Sequence, residues 1–233
     1  MNTKTVFITG ANRGLGFELA RALGAQGFHV FLGVRHAERG AAALQKLADA
    51  GIAATAVVID VRDRQSIAEA VTAVQQHTDR LDVLINNAAI NYHESTNILE
   101  ATPENIADTL QTNAFGVLFV TQAFLPLLGE GSRVINLSAT AGLTEKGIST
   151  IAPVYSLSKS MVNVITRQLA RAFRTRKILV NACCPGWAKT DMGGEKAPQT
   201  PEEAIDTPLW LATEAPADIH GRFVRNRTVQ NNW

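Results

Sequence analysis

Cysteine and histidine are scarce in this chain of 233 residues. The two cysteines, Cys183 and Cys184, are neighbours in an apolar run, where they are poorly placed to link separate parts of a fold by disulfides. We expect both to be reduced core residues, which is typical of a cytoplasmic protein. The five histidines are scattered without the spacing of metal ligands, so we expect no metal site.

Excess charge and long apolar runs are also missing. The chain has 22 basic and 21 acidic side chains, so no overall field attracts nucleic acid or an anionic membrane. No run reaches the ~18 consecutive apolar residues of a membrane span, and the N-terminus enters a short β-like run without the apolar segment of a secretion signal. We therefore expect a cytoplasmic protein that binds neither nucleic acid nor membranes.

Short β-branched runs alternate with longer helical stretches. Strands are predicted at 6–9, 30–34, 56–59, 83–85, 134–137 and 179–184 and near Phe223, and helices at about 14–25, 37–50, 64–77 and 201–212, after Pro103 and around Tyr155. This order predicts a doubly wound α/β fold, with a parallel sheet of about seven strands and helices on both faces. No linker or repeat is visible, so we expect residues 1–233 to form a single domain.

A glycine-rich turn follows the first predicted strand and opens a helix. It reads Thr9-Gly10-Ala11-Asn12-Arg13-Gly14-Leu15-Gly16. Glycines let the backbone turn tightly and let a pyrophosphate approach the free N–H groups of a helix N-terminus. In doubly wound sheets, ligands bind at the carboxyl ends of the strands, where this turn lies. The turn indicates a nucleotide site, although a glycine turn taken alone can also be punctuation.

Tyr155 and Lys159 lie four residues apart in the middle of apolar sequence. In a helix, this spacing places the phenol and the ammonium on one face, one turn apart. A tyrosine with its ordinary pKa near ~10 is a sluggish participant at pH 7, whereas a neighbouring cation favours the phenolate and lowers that pKa. The pair therefore predicts a general acid activated by a lysine, with an ordinary helix face as the alternative.

These two motifs resemble the TGxxxGxG and YxxxK signatures of the short-chain dehydrogenases and reductases. The resemblance covers essentially the whole chain and includes, in the family's order, Asn86-Asn87-Ala88-Ala89, Asn113, Ser138 and Pro185-Gly186. Ala89 departs from the family's NNAG and adds a methyl group near the cofactor, where we expect a small adjustment. The segments 181–187, 190–192 and 201–203 look most like the carbonyl reductases.

The resemblance implies a Rossmann fold and an NADPH-dependent reductase that converts an aldehyde or ketone to an alcohol. It implies Tyr155 as the acid, Lys159 as a partner of the nicotinamide ribose, Ser138 as a partner of the substrate oxygen, and Asn113 as the holder of a water in a proton relay. The implied cofactor-binding residues are Gly10, Asn12, Arg13, Gly14, Leu15, Gly16, Arg35, Asp60, Val61, Asn87, Ala88, Tyr155, Lys159, Pro185, Gly186 and Thr190.

The end of the second predicted strand indicates which cofactor is used. A site that selects NADH usually has an acid about twenty residues after the glycine turn, which accepts from both ribose hydroxyls. Here the strand ends at Arg35, so a 2′-phosphate meets no repulsion and both Arg35 and Arg13 can reach it. We expect NADP(H); the alternative is that Arg35 is a solvated charge at the start of the next loop.

Several interpretations stay open from the sequence. Ser138 could only satisfy a strand end, Asn113 could be tolerated in a packed helix, and Trp187 could line the substrate cleft or pack in the core. The short segment 193–199, where the family places its substrate lid, does not decide between a simple carbonyl substrate and an acyl-carrier-bound or steroid ketone. A signalling protein that senses cofactor on the same fold is the alternative outside the enzymes.

The helix around Tyr155 is apolar over about half of its circumference, which is wider than the ~100° stripe that covers one sheet. The residues concerned are Val154, Leu157, Met161, Val162, Val164, Ile165, Leu169, Ala172 and Phe173. Short-chain reductases with a long insertion before the catalytic tyrosine tend to be monomers, and here only residues 139–154 separate Ser138 from Tyr155. We expect a homodimer or homotetramer built through the helices around Asn113 and Tyr155.

Overall fold

One eight-stranded sheet forms the centre of the molecule, which a computed structural model describes at residues 3–92, 96–143, 152–231 and 233. The strands are β1 Thr5–Thr9, β2 His29–Val34, β3 Ala54–Val58, β4 Leu81–Asn86, β5 Leu128–Leu137, β6 Leu179–Cys183, β7 Phe223–Arg225 and β8 Thr228–Gln230. Their order is β3-β2-β1-β4-β5-β6-β7-β8, with every neighbouring pair parallel except β7 and β8. The predicted doubly wound fold is confirmed, with one strand more than expected.

The helices lie on both faces of this sheet. They are α1 Gly14–Ala25, α2 Ala37–Asp49, α3 Arg64–Gln75, α4 Pro103–Leu110, α5 Gly116–Phe124, α6 Pro153–Phe173, α7 Pro201–Ala204 and α8 Asp206–Thr213. Val6 and Ile8 of β1 pack in the core formed with α1, α2 and α8. Phe7 points to the other face, where its ring lies 4.4 Å from that of Phe124 in the core formed with α3, α5 and α6. This alternation explains why the central strands read as continuous apolar runs.

Two predicted helices are interrupted. The stretch after Pro103 contains a π-helical turn, Gln111–Phe115, between α4 and α5. The stretch predicted at 201–212 is divided into α7 and α8 at Ile205. A single wider turn leaves the apolar periodicity on each side of it intact. The pattern of apolar residues therefore does not indicate the π-helical turn between α4 and α5.

The missed strand belongs to a hairpin at the C-terminal edge of the sheet. β7 and β8 are only three residues each and are joined by Asn226 and Arg227, both with left-handed backbone angles (φ 50° and 55°). A two-residue turn of this kind favours Asn-Gly, and arginine in the second position hides the signal. The Arg227 guanidinium is held by Asp206, with Nε 2.9 Å from Oδ2.

One helical run of the described residues, 103–127, is by length and composition apolar enough to cross a membrane. Half of its most apolar window is buried inside the protein, and Val117, Val120 and Phe124 are core residues. The core helix of a globular protein passes the same test, so this run is weak evidence for a membrane span. The expected absence of membrane binding stays a prediction.

Candidate active site

A cleft of about 380 Å³ opens at the carboxyl ends of the parallel strands. The predicted site residues that line it are Gly10, Asn12, Arg13, Gly14, Leu15, Gly16, Arg35, Asp60, Val61, Asn87, Ala88, Ser138, Tyr155, Lys159, Pro185 and Thr190. Ala89, the departure from the family pattern, lies on the same wall. Gly186 and Asn113 are not lining residues: Gly186 follows the lining Pro185, and Asn113 stands behind the wall.

The glycine turn needs its glycines for conformation and for close packing. Gly10 and Gly14 have positive φ angles of 67° and 55°. A Cβ on Gly16 would overlap the carbonyl oxygen of Gly10 and lie 2.6 Å from Asn87 Nδ2. The N-cap position of α1 is Arg13, which makes no side-chain capping bond, and the first turn contains no acid. The helix therefore presents free N–H groups and a positive dipole end to the cleft.

Hydrogen bonds join the end of β4 to this turn. Thr9 Oγ1 accepts from the backbone N–H groups of Asn87 at 2.9 Å and Ala88 at 3.0 Å. In return, Asn87 Nδ2 donates to the carbonyls of Thr9 at 2.8 Å and Gly10 at 3.0 Å. The side chains that the sequence motifs singled out thus brace two adjacent strand ends, which keeps the middle of the cleft in shape.

One end of the cleft is basic. It contains the predicted Arg35 together with three side chains that belong to no sequence motif, His36, Arg39 and Arg62. Burial alone would raise the pKa of Asp60, but hydrogen bonds from Arg62, followed by the charges of Arg62 and Arg35, lower it. The carboxylate is therefore held ionised and largely neutralised by Arg62. In the sequence, this cluster is indicated only by Arg39, which lies in the first turn of α2, close after Arg35.

Arg13 has a partner on the opposite side of the cleft. Its guanidinium donates to the carboxylate of Asp191, in the loop between β6 and α7, and both side chains are largely exposed. Arg13 was expected to reach a phosphate, and the structure shows that an acid of the chain already occupies it. A cofactor phosphate must therefore compete with Asp191 for the Arg13 guanidinium, so Arg13 contributes less to phosphate binding than expected.

Tyr155 and Lys159 lie one turn apart on α6, as expected. Lys159 Nζ is 5.4 Å from the centre of the Tyr155 ring and donates to the carbonyl of Leu137 at 2.8 Å. Lys159 is 3% exposed, and burial lowers its pKa to about 8, although the negative charge of Cys184 and Cys183 in their ionised forms acts in the opposite direction. The lysine is thus a cation that loses its proton just above neutral pH.

The pKa of Tyr155 moves against the expected direction. The residue is partly exposed to the cleft but lies deep among protein atoms, and this burial raises its pKa above the ordinary value. Repulsion between a phenolate and the ionised form of Cys184 adds to the rise. The expected lowering of this pKa by Lys159 is therefore wrong, because desolvation of the phenol sets the direction of the shift. The phenol keeps its proton at neutral pH, which is the form that a proton donor needs.

Ser138 and Asn113 flank this pair. Ser138, at the end of β5, donates to Asn163 Oδ1 on α6 at 2.6 Å. Asn113 lies in the π-helical turn, where its Oδ1 accepts from the backbone N–H of Ile90 at 2.8 Å and its Nδ2 donates to the Ile90 carbonyl at 2.9 Å and to Ser158 Oγ at 3.0 Å. Asn113 thus ties α6 to the cleft wall at Ile90. Its role in a water relay stays a prediction.

Trp187 was expected either to line the substrate cleft or to pack in the core, and the structure shows neither. Its side chain belongs neither to the core nor to the wall of the cleft, because it is 54% exposed and does not line the cavity. Its Nε1 donates to the carbonyl of Gly193 at 2.8 Å, which closes part of the loop after β6.

The profile of the family described as short chain dehydrogenase matches residues 4–201. The chain belongs to the short-chain dehydrogenase family. It is 34% identical to NADPH carbonyl reductase 1 of Sus scrofa, over 98% of this chain and 94% of that protein. The aligned region spans 276 residues against 233 here, so this short-chain dehydrogenase lacks at least 43 residues of that relative.

Solved structures agree with this assignment. An NADPH-bound carbonyl reductase from chicken fatty liver superposes with a TM-score of 0.89 at 30% identity and covers all of both chains. The carbonyl reductase Sniffer of D. melanogaster gives the same TM-score at 28% identity, also over the whole of both chains. An actinorhodin polyketide ketoreductase variant with NADPH gives 0.85 at 29% identity, over 96% of this chain and 95% of the other. The predicted family and its carbonyl-reductase branch are confirmed.

Proposed function

We propose that this protein reduces an aldehyde or ketone to an alcohol with NADPH, within one dinucleotide-binding and catalytic domain of residues 1–233. The observation that carries the proposal is that Ser138, Tyr155 and Lys159 line one cleft together with the glycine turn. The glycine turn lies in the middle of this cleft, and the end far from the three residues is basic. The relatives described as NADPH carbonyl reductases support the same activity and the same cofactor. No observation favours the signalling alternative.

The cleft fits a dinucleotide in charge and in shape. The uncapped N-terminus of α1 is suited to a pyrophosphate, since free N–H groups and the helix dipole both favour an anion. Arg35 and Arg39 are placed for a 2′-phosphate, and the surface of the turn is free of side chains at Gly10, Gly14 and Gly16. When bound, NADPH would supply the hydride. We assign the ribose next to the nicotinamide to Lys159.

The residues of the chain then handle the carbonyl oxygen and its proton. On substrate binding, Ser138 turns its hydroxyl proton from Asn163 Oδ1 to the carbonyl oxygen and fixes the position of that oxygen, and Tyr155 donates the phenolic proton to it. Lys159 lies close enough to stabilise the phenolate that remains, as long as its amine is protonated. The high pKa of Tyr155 favours reduction over alcohol oxidation near neutral pH, because oxidation must begin from the phenolate.

Oxidation of NADPH with a panel of aldehydes, quinones, ketoesters and an acyl-thioester ketone tests this function. We expect turnover with at least one class, and the pattern separates a simple carbonyl substrate from a carrier-bound one. Tight NADPH binding without turnover on any member of the panel would contradict the proposal and favour a cofactor sensor. Cytoplasmic location and the absence of nucleic-acid binding remain predictions of the sequence.

The pH dependence of reduction should follow the ammonium of Lys159. Since burial lowers the pKa of Lys159 to about 8, its charge is present below that pH and is lost as the pH rises through it. With a saturating carbonyl substrate, kcat/KM for NADPH reports groups of the ligand-free enzyme. We expect this value to be level near pH 6 to 7 and to fall about tenfold per pH unit above about 8.

The variant Lys159→Arg is the control for this profile. A guanidinium stays protonated throughout the range, so the variant should be slower but should lack the descending limb near pH 8. A wild-type profile that stays level to about pH 10, or a limb that persists in Lys159→Arg, would contradict the assignment to Lys159.

We also propose that the protein is a homodimer or homotetramer built through α6 and the helices around Asn113. Of the apolar residues that predicted this interface, Val154, Val162, Leu169 and Phe173 are buried in the chain's own core, so the surplus is smaller than expected. Leu157 and Val164 remain 47% and 59% exposed. They lie seven residues apart on one stripe of the helix, which is the arrangement that a partner helix covers.

Light scattering should give two or four times the mass of the 25.1 kDa chain at micromolar concentration. The double variant Leu157→Glu, Val164→Glu should shift the protein to the monomer, because a carboxylate is costly to bury without a partner. The control is Ala42→Glu on the exposed face of α2, across the sheet, which should leave the mass unchanged. A wild-type protein of 25.1 kDa would rule out the oligomer.

A further inference from the structure

The side-chain amide of Asn163 bridges two points of the segment that carries Ser138. Its Oδ1 accepts from Ser138 Oγ at 2.6 Å, and its Nδ2 donates to the carbonyl of Gly142 at 3.2 Å. Asn163 is 4% exposed and lies on α6 one turn after Lys159. One buried amide therefore holds both ends of the stretch 138–142.

This stretch lies flat against α6 at the residue that follows the lysine. A Cβ on Gly142 would lie 2.5 Å from the carbonyl carbon of Lys159 and 2.7 Å from the backbone nitrogen of Ser160. Ser160 Oγ also donates to the Gly142 carbonyl at 3.0 Å. The Asn163 amide thus sits where the end of β5 and the middle of α6 are in closest contact.

The bond to Asn163 fixes the hydroxyl of Ser138. A serine hydroxyl has one proton, and the 2.6 Å contact uses it. The other acceptor within reach, the carbonyl of Lys159, is at 3.3 Å. Both residues are buried, so water does not compete easily for either group. The position of Ser138 Oγ is therefore determined by Asn163 before any substrate binds.

We infer that Asn163 is a positioning residue for carbonyl reduction and acts through Ser138. Before substrate binds, Asn163 Oδ1 holds Ser138 Oγ beside the position of the carbonyl oxygen, and the hydroxyl proton then turns to that oxygen. Asn163 Nδ2 meanwhile anchors the turn Thr140–Gly142 beside the tyrosine and lysine of α6. The inference rests on the proposed function. A side chain that supports a reacting group in this way typically changes activity by about 10- to 100-fold when it is removed.

A double-mutant cycle with Ser138 separates this role from a general loss of structure. Asn163→Ala should lower kcat about tenfold or more, while the Kd for NADPH stays within about twofold of the wild type. In the background of Ser138→Ala, the same change should have little further effect on kcat, because its route to the reaction is already lost. Losses of kcat that multiply in the double variant would overturn the inference.

Thr166→Val is the matched control on the same helix. Thr166 is fully buried and accepts from Asn136 Nδ2 at 2.8 Å, so its loss also breaks a buried hydrogen bond of α6 without contacting Ser138. The control should lower the melting temperature as Asn163→Ala does but keep kcat near the wild-type value. A fall in kcat equal to that of Asn163→Ala would assign the effect to helix packing and would also overturn the inference.

Hydrogen exchange of the ligand-free protein gives a measurement that does not need activity. The backbone N–H groups of Gly142 and Leu143 donate to the carbonyls of Ala139 and Thr140 at 3.0 Å each. Peptides covering 138–143 should exchange faster in Asn163→Ala and remain at the wild-type rate in Thr166→Val. If the wild type reduced no carbonyl, the proposed function would fail by itself, and unchanged exchange in Asn163→Ala would then refute the anchoring separately.

Discussion

Replacing Tyr155 with phenylalanine should lower kcat for carbonyl reduction by roughly 10²- to 10⁴-fold or more, the usual scale for losing a general acid. The substitution removes only the phenolic oxygen, so the ring keeps its place on α6 and its contact with Lys159. The melting temperature and the Kd for NADPH should therefore stay close to those of the wild type. Burial keeps the phenol of Tyr155 protonated at neutral pH, so the wild type holds the proton that the variant lacks.

The chain offers a matched control for this result. Tyr92 is the other of the two tyrosines, is 46% exposed, and donates to Asp108 Oδ2 at 2.9 Å on the surface. Tyr92→Phe removes the same oxygen from a side chain that does not line the cleft, and it should leave kcat unchanged. Turnover by Tyr155→Phe at close to the wild-type rate would contradict the assignment of the proton donor.

The second large effect concerns the choice of cofactor, for which we expect kcat/KM to favour NADPH over NADH by about a hundredfold. No acid stands at the end of β2, where Arg35 lies on the cleft, and Arg39 follows in the first turn of α2. A charge-assisted hydrogen bond contributes about 1.5 to 3 kcal/mol, and exposure of these arginines reduces that figure. Two such contacts suffice for the expected ratio.

Substitutions divide this preference among the arginines. Arg35→Ala should lower the NADPH to NADH ratio about tenfold. Arg13→Ala should have a smaller effect, because Asp191 already occupies the Arg13 guanidinium. For the same reason, Asp191→Asn should lower the KM for NADPH by releasing Arg13. Arg171→Ala, an exposed charge in the last turn of α6, is the control.

Equal use of NADH by the wild type would contradict this account of the basic end. So would a preference that does not fall in Arg35→Ala, since the remaining contacts would then carry all of the discrimination.

Local signals in the sequence were sufficient for most of the sheet and for the middle of the site. β1, β2 and β6 are buried strands, and an apolar run bounded by a glycine turn identifies such a strand without knowledge of its neighbours. The spacing of Tyr155 and Lys159 fixed their common face because helical geometry does not depend on the rest of the fold. These features were predictable because each is determined within a few residues.

The features that were missed depend on tertiary contacts. Arg62 lines the cleft because its guanidinium pairs with Asp60 nearby in the chain and with Asp108 on α4. No local sequence pattern predicts the contact with Asp108. The pKa of Tyr155 was expected to fall because the sequence shows the lysine but not the burial. Asn163 gave no signal, since an isolated asparagine in a helix is unremarkable until Ser138 is placed beside it.

The central claim is that this chain transfers a hydride from NADPH to a carbonyl carbon. The direct test is to supply NADPH that carries deuterium at the reactive nicotinamide carbon and to locate the label in the product by mass spectrometry and NMR. We predict one deuterium on the alcohol carbon in the wild type and roughly 10²-fold or more slower labelling in Tyr155→Phe. An unlabelled alcohol, or oxidation of NADPH without any labelled product, would contradict the account.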